Sequence, residues 1–386
     1  MLTKEEIFIM EKMSSKQRML AAIERKKPDR LPVTTHHVMQ YFLDRYMGGM
    51  SSYGFFEHFG LDPIVWTVPL IPDSNKGEYL ENGNIMSDNW RIVSEPIDND
   101  RYVTVRRSII TPKGTLTTVL QSNEYTTWVN EHLIKQKSDI DIIAEYATHP
   151  LCDKTAVDAE ADKHGDKALI RGHIPGFDFF GQPGCWQDAA CLVGIEKLIL
   201  LTYDDPGWVK EFLEILRQRK LDFIRSLKGV KYDLLELGGG DASSTVISPD
   251  IFDDFVAPFD CTLISEAHKA GQKIVYHTCG GMMPLLENIA AMSPDAMETF
   301  TPPAMGGDTD LAEAKKRIGD KACMIGGFDQ HNFFTNCSPG STRKEVRRCF
   351  EAAGQNGGFI LSPSDHFFDA DPELIAAYTD EAKACT

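Results

Sequence analysis

"QKIVYHTCGG", residues 272–281, joins a short apolar run to a His-x-Cys pair and two glycines. It reads as a buried strand with two metal-capable side chains just past its end. Five more short apolar runs surround it: "KALIRGHIP" (167–175), "YDLLELGG" (232–239), "DAMETF" (295–300), "ACMIGGFD" (322–329) and "GGFILSPS" (357–364). Amphipathic segments lie between them. One is predicted over 249–270, with Ser248 as its cap and Pro249 in its first turn. Another is predicted over 341–353, stopped by Gly354. Strands alternating with helices indicate βαβ units around a parallel sheet. "RLPVT" (30–34) and "DPIVWT" (62–67) bring the strand count to eight. That number favours a (β/α)8 TIM barrel, an α/β fold, over an open sheet.

Residues 78–135 have a different texture. "RYVTVRRSII" and "GTLTTVLQ" are β-rich and are joined by "TPKG", Thr111 to Gly114. Proline at the second and glycine at the fourth turn position favour a tight reversal. This region is expected to be a β-hairpin or meander inserted into one barrel domain spanning 1–386.

The chain has 386 residues, 57 acids against 40 bases, and a net charge of −17. Polyanion binding needs a basic patch, which this balance does not supply, so nucleic acid is excluded as a partner. No apolar run reaches the ~18 residues of a membrane span. The stretch "MLTKEEIFIMEKMSSKQRML" is too charged for a signal peptide, so a cytoplasmic protein is expected. Nine scattered cysteines without a CxxC pair argue against a disulfide framework. Gly238 to Gly240 lack the spacing of a phosphate loop and are expected to let a ligand approach the backbone.

In a TIM barrel the chemistry sits at the C-terminal ends of the strands. The positions following the apolar runs are His173, Glu236, Asp241, His277, Cys279, Glu298, Asp329 to His331, Asp365 and His366. Imidazole and thiolate are good Zn²⁺ ligands, and a catalytic zinc needs three protein ligands with one position open. His277 and Cys279 are the sharpest pair. Glu298 and Asp365, at other strand ends, are the candidates to complete the set. Glu236, Asp241 and His366 are candidate general acids or bases. His36, His173, Gln330 and His331 are candidates for holding substrate.

At these motifs the chain resembles the uroporphyrinogen decarboxylase superfamily. "SSKQRMLAAIERKKPDRLPV" (14–33) is similar to the opening of its members, and "ISPDIFDDFVAPF" (247–259), "YHTCGG" and "GGFILSPSD" (357–365) are similar to later landmarks. The resemblance implies a single (β/α)8 barrel. The decarboxylases carry clustered arginines after the first strand, for the carboxylates of their substrate. Here that place holds His36 and His37. The zinc-dependent, corrinoid-linked methyltransferases of the superfamily carry His-x-Cys and a later Cys. His277 and Cys279 match, while Asp365 stands where the later Cys is expected.

A site with fewer thiolates leaves zinc a stronger Lewis acid, which suits an oxygen rather than a sulfur. "TPKGTLT" and "EHLIKQKSDI" (131–140) also resemble the subgroup that demethylates methoxy compounds. The expectation is therefore O-demethylation. A methyl group passes from a small methoxy donor, such as a methoxylated aromatic, to the Co(I) of a separate corrinoid protein. The chain lacks the DxHxxG signature of a cobalamin domain, so the corrinoid belongs to a partner. Three alternatives stand beside this: methyl transfer from the corrinoid to a thiol, a metal-free decarboxylase, and a barrel that only binds a ligand or the corrinoid protein. A homo-oligomer is compatible with any of them.

Overall fold

The computed structural model describes residues 12–177 and 182–386. The first eleven residues, part of the charged stretch read against a signal peptide, lie outside them.

Seven parallel strands form the central sheet, in chain order: β1 (Ile64–Trp66), β2 (Leu169–His173), β3 (Leu234–Gly238), β4 (Ile274–His277), β5 (Ala296–Thr299), β6 (Cys323–Phe328) and β7 (Phe359–Pro363). Each is a short apolar run because helices cover the outside of the sheet and side chains fill its inside. The eighth position is taken by "RLPVT", reduced to a bridge at Val33 beside Leu361. Its backbone closes the ring. Thr34 N–H donates to Leu361 O at 2.9 Å, Leu361 N–H to Pro32 O at 2.9 Å, and Asp62 N–H to Val33 O at 2.7 Å. Seven of the eight predicted strands form as strands and the eighth as a bridge, and the barrel closes there, beside the last strand.

Below this seam the opening motif has a structural task. Asp62, with no exposed surface, accepts from Arg18 Nη1 at 2.7 Å, Arg30 Nη2 at 2.9 Å and Val33 N–H at 3.0 Å. Arg18 also bonds Asp29 at 2.6 Å. The helix Ser15–Ile23 is thereby fixed to the floor of the barrel.

The helix predicted over 249–270 runs Pro249–Ile251, then a π turn over Phe252–Val256, then Ala257–Lys269. Ser248 caps it through Ile251 N–H. The second predicted helix begins two residues early, at Pro339, because Ser338 is the cap and proline suits a first turn. It ends in a π turn over Phe350–Gly354.

The β-rich region lies between β1 and β2. Strands Arg91–Ile97, Val103–Thr111, Gly114–Ser122 and Thr127–Glu131 form an antiparallel meander, preceded by the hairpin Tyr79–Glu81/Asn84–Met86. Thr111 pairs with Gly114, so the turn lies where "TPKG" put it. The short pairing of Leu70–Ile71 with Leu151–Cys152 clamps the base of the region. All nine cysteines are free. Among the described residues no helix is long and apolar enough to cross a membrane.

Candidate metal centre

Successive strand ends bring five side chains to one point inside the barrel mouth: His36 beyond the Val33 bridge, Arg171 on β2, Glu236 on β3, His277 on β4 and Glu298 on β5. In the parallel register His277 lies opposite Glu298, so the two side chains leave the sheet on the same face. His277 Nδ1 is 2.9 Å from Glu298 Oε1. His36 Nε2 is 2.8 Å from Glu236 Oε2 and 3.3 Å from Glu298 Oε1. Arg171 Nη2 bonds Glu236 Oε2 at 2.8 Å and also pairs with Glu298. The guanidinium lies over the Trp66 ring, 4.5 Å from its centroid. Trp66 Nε1 donates to the His36 carbonyl at 2.7 Å, which fixes the loop carrying that histidine.

Burial is the largest influence on each of these ionisable groups, and acting alone it would discharge them all. The mutual ion pairs reverse it. Facing Glu236 and Glu298, with Cys279 beside it, His277 is held well above the ordinary histidine range. His36 is raised by the same two carboxylates. Glu236 is lowered by His36, His277 and Arg171, and Glu298 by Arg171, His36 and His277. Two further imidazoles behave in the opposite way. Burial and then the charge of His36 lower His37 to about 2 and His366 to about 4.

His36, Glu236, His277 and Glu298 each offer one ligand atom, and these atoms lie within 4.8 Å of one another. Two imidazoles and two carboxylates are a donor set that zinc accepts. An ion would enter by displacing the protons that His36 and His277 hold against the carboxylates. The donor set therefore fits a divalent cation.

Of the four expected ligands, His277 and Glu298 are in this group, while Cys279 and Asp365 are in neither of the groups found. The Cys279 sulfur lies against Gly240, only 2.6 Å from where a Cβ at that residue would sit. Asp365 is exposed and accepts from the His366 N–H at 2.7 Å, so its carboxylate holds the loop after β7. His36 and Glu236, expected to touch substrate or move protons, are the groups that complete the set.

Asp241 is tied to Gln187, whose Nε2 donates to its Oδ2 at 2.7 Å, and burial raises its pKa. His366 gathers with His36 and His37 in a second group. His173 lies at the end of β2 and lines a cavity of about 490 Å³ with His36, His37, Trp66 and Glu236. Gln330 and His331 line a neighbouring cavity of about 670 Å³ with Asp365 and His366. The Gln330 Oε1 accepts from Ser364 N–H at 3.0 Å. Gly238 and Gly240 are closely packed by protein: a Cβ on Gly238 would lie 2.3 Å from the His277 carbonyl oxygen.

Arg171 and Trp66 are the site residues that the strand-end reading passed over. The signal for Arg171 was present, since a cation within the apolar run "ALIRGHI" must find a buried partner.

With this geometry on hand, the chain is assigned to the uroporphyrinogen decarboxylase (URO-D) family, to which it belongs: the family's sequence model matches residues 171–385. That span runs from Arg171 through Glu236, His277 and Glu298 to His366. The uroporphyrinogen decarboxylase of Hydrogenovibrio crunogenus is 23% identical over 223 residues, 55% of this chain and 59% of that one. The uroporphyrinogen decarboxylase of Aliivibrio salmonicida is 24% identical over 225 residues, again 55% and 59%. The match thus spans less than two thirds of these curated relatives. A solved structure described as a methyltransferase from Methanosarcina mazei covers 96% of this chain and 99% of its own, with a TM-score of 0.63 and 15% identity. It has the same fold.

Proposed function

We propose that the protein is a metal-dependent methyltransferase that takes the methyl group from a small methoxy compound, such as a methoxylated aromatic, with a separate corrinoid protein as acceptor. The observation that carries this reading is the convergence of His36, Glu236, His277 and Glu298 within 4.8 Å. These four residues are the candidates to hold zinc, three of them at a time when the donor is bound, so that one position stays open. Zinc in such nitrogen and oxygen surroundings supplies Lewis acidity toward an ether oxygen. Arg171 fixes both carboxylates in place. Trp66, Val68 and Pro183 give the 490 Å³ cavity its apolar wall, against which an aromatic donor packs, and His173 lies on its rim. Asp241, whose pKa burial raises, keeps its proton to higher pH than an ordinary carboxyl, but it is bonded to Gln187 and lines neither cavity.

A metal-free decarboxylase is the second reading. It is favoured by Arg171, which with one imidazolium group balances both carboxylates without an ion. Against it, Arg171 is only 1% exposed and already engaged, and the described residues lining the cavity include no Lys or Arg to receive a substrate carboxylate. An anaerobic assay of zinc-loaded protein with a reduced corrinoid protein separates the two. Methoxyaromatics, methanol and methylamines serve as candidate donors. A corrinoid spectral change with the methoxyaromatics alone is expected. Absence of any spectral change, with release of CO₂ from a carboxylic substrate, would overturn the reading.

A further inference from the structure

The seam that closes the barrel has a second consequence. Because Val33 pairs beside Leu361, the loops leaving these two strands emerge side by side at the mouth. One carries His36 and His37, the other His366. Their ring centroids are 4.5 Å (His36–His37), 5.7 Å (His36–His366) and 4.0 Å (His37–His366) apart, and one nitrogen from each lies within 4.8 Å of the others. Two nitrogens bound to one zinc ion at tetrahedral angles are about 3.3 Å apart, given Zn–N bonds of ~2.0–2.1 Å. Binding therefore requires the three rings to turn toward one another.

Among the described residues, two of the rings have a buried nitrogen with no hydrogen-bond partner: His36 Nδ1 and His366 Nδ1. Buried polar atoms are ordinarily satisfied, so an orphaned pair in one cluster calls for an occupant. His36 Nε2 is already committed to Glu236 and Glu298, which leaves Nδ1 for this side. The backbone around His366 is braced by Asp365 Oδ1, which accepts its N–H at 2.7 Å.

We propose that His36, His37 and His366 form a second, all-imidazole site for a late first-row divalent cation such as Zn²⁺, Ni²⁺ or Cu²⁺. Three nitrogen donors without a carboxylate select these ions over Mg²⁺ and Ca²⁺. His36 and His37 line one cavity and His366 lines its neighbour, so a remaining coordination position faces solvent and takes water or a small oxygen anion. The assignment is independent of methyl transfer. With both sites filled, His36 bridges the two ions as an imidazolate, its last ring proton released to solvent, with Nε2 toward the carboxylates and Nδ1 toward the mouth.

Equilibrium dialysis against Zn²⁺ with elemental analysis, and pulsed EPR of the Cu²⁺-loaded protein, test this on the full chain. Two zinc ions per chain are expected. His37→Ala or His366→Ala should weaken one of them at least 100-fold and leave the other. His277→Ala or Glu298→Gln should do the converse. The copper signal lost in the His366 variant should report three coordinated imidazoles. Thermal melts check folding, and His366→Gln replaces the alanine variant if the latter fails to fold.

Zinc binding untouched by either mouth variant overturns the second site and leaves the inner one standing. Loss only in the mouth variants supports the second site and removes the inner one. No zinc binding at all overturns both.

Discussion

Arg171 holds together two carboxylates that repel each other. It is 1% exposed, and both Glu236 and Glu298 depend on it and on two imidazoles for their charge. Removing one partner of a buried ion network leaves uncompensated charge, at a cost of about 3–5 kcal/mol. Arg171→Met, which keeps the length and loses the charge, should therefore lower stability by that order in urea unfolding. Added Zn²⁺ should restore part of the loss, because the two carboxylates that the variant leaves exposed to each other are among the four proposed ligands. Unchanged unfolding midpoints would show that the pairs carry no weight.

The residue also marks the limit of reading a sequence by strand ends. His277 and Glu298 were legible because they lie at or next to the ends of apolar runs, and Glu236 because an acid so close to the glycines that end its run stands out. Arg171 lies two residues earlier, within a run, and the partners that make it tolerable there come from β3 and β5, far away along the chain. Cys279 and Asp365 are less closely fixed by the sheet, although the Cys279 thiol reaches His277. Past the last paired residue a side chain is no longer held to one face, so a metal-capable type at that position does not settle its direction.

The elements themselves were more legible than the site. Strands covered on both faces are near-continuous apolar runs, and all eight stood out. The meander was readable from β-branched residues and the Pro and Gly of its turn. What the pattern could not convey is how far helices commit charge to the interior. The segment Ala257–Lys269 buries Asp260, which accepts from the Tyr276 hydroxyl at 3.0 Å and from Cys185 N–H at 3.3 Å.

Burial, the largest influence, raises this carboxyl from 3.8 to about 6 despite those bonds. Between the two values the folded chain holds a proton that the unfolded chain has lost. Stability therefore falls as pH rises through that window, and the penalty is complete above pH 6. Two pKa units correspond to about 3 kcal/mol. Asp260→Asn has no proton to lose. Relative to the wild type, its stability should rise between pH 4 and 6 and then level off, by up to about 3 kcal/mol. Denaturant titrations at a series of pH values would measure this, and a difference independent of pH would rule the account out.

At the scale of the whole molecule, the inserted meander shares its core with the barrel. Trp90, Ile92, Ile109 and Leu116 are buried in the same continuous cluster as the strands β2 to β7. Trp90 has no exposed surface, and its ring meets Phe177, just beyond β2, edge-on at 5.9 Å. At the far tip Tyr125 packs on Phe368 and Tyr41 beside the mouth, with ring centroids 5.2 Å and 4.7 Å away. An element anchored at its base, middle and tip should not unfold alone. Trp90→Ala removes a fully buried ring and should cost about 3–5 kcal/mol. That loss should appear as one cooperative transition moved to lower denaturant, with hydrogen exchange accelerated in β3 and β4 as well as in the meander. Because Trp90 Nε1 has no hydrogen-bond partner among the described residues, Trp90→Phe loses none of their bonds and should recover most of the stability. A meander that opens early while the barrel strands keep their protection would mean that the two parts fold separately, and the shared core would then be contact without coupling.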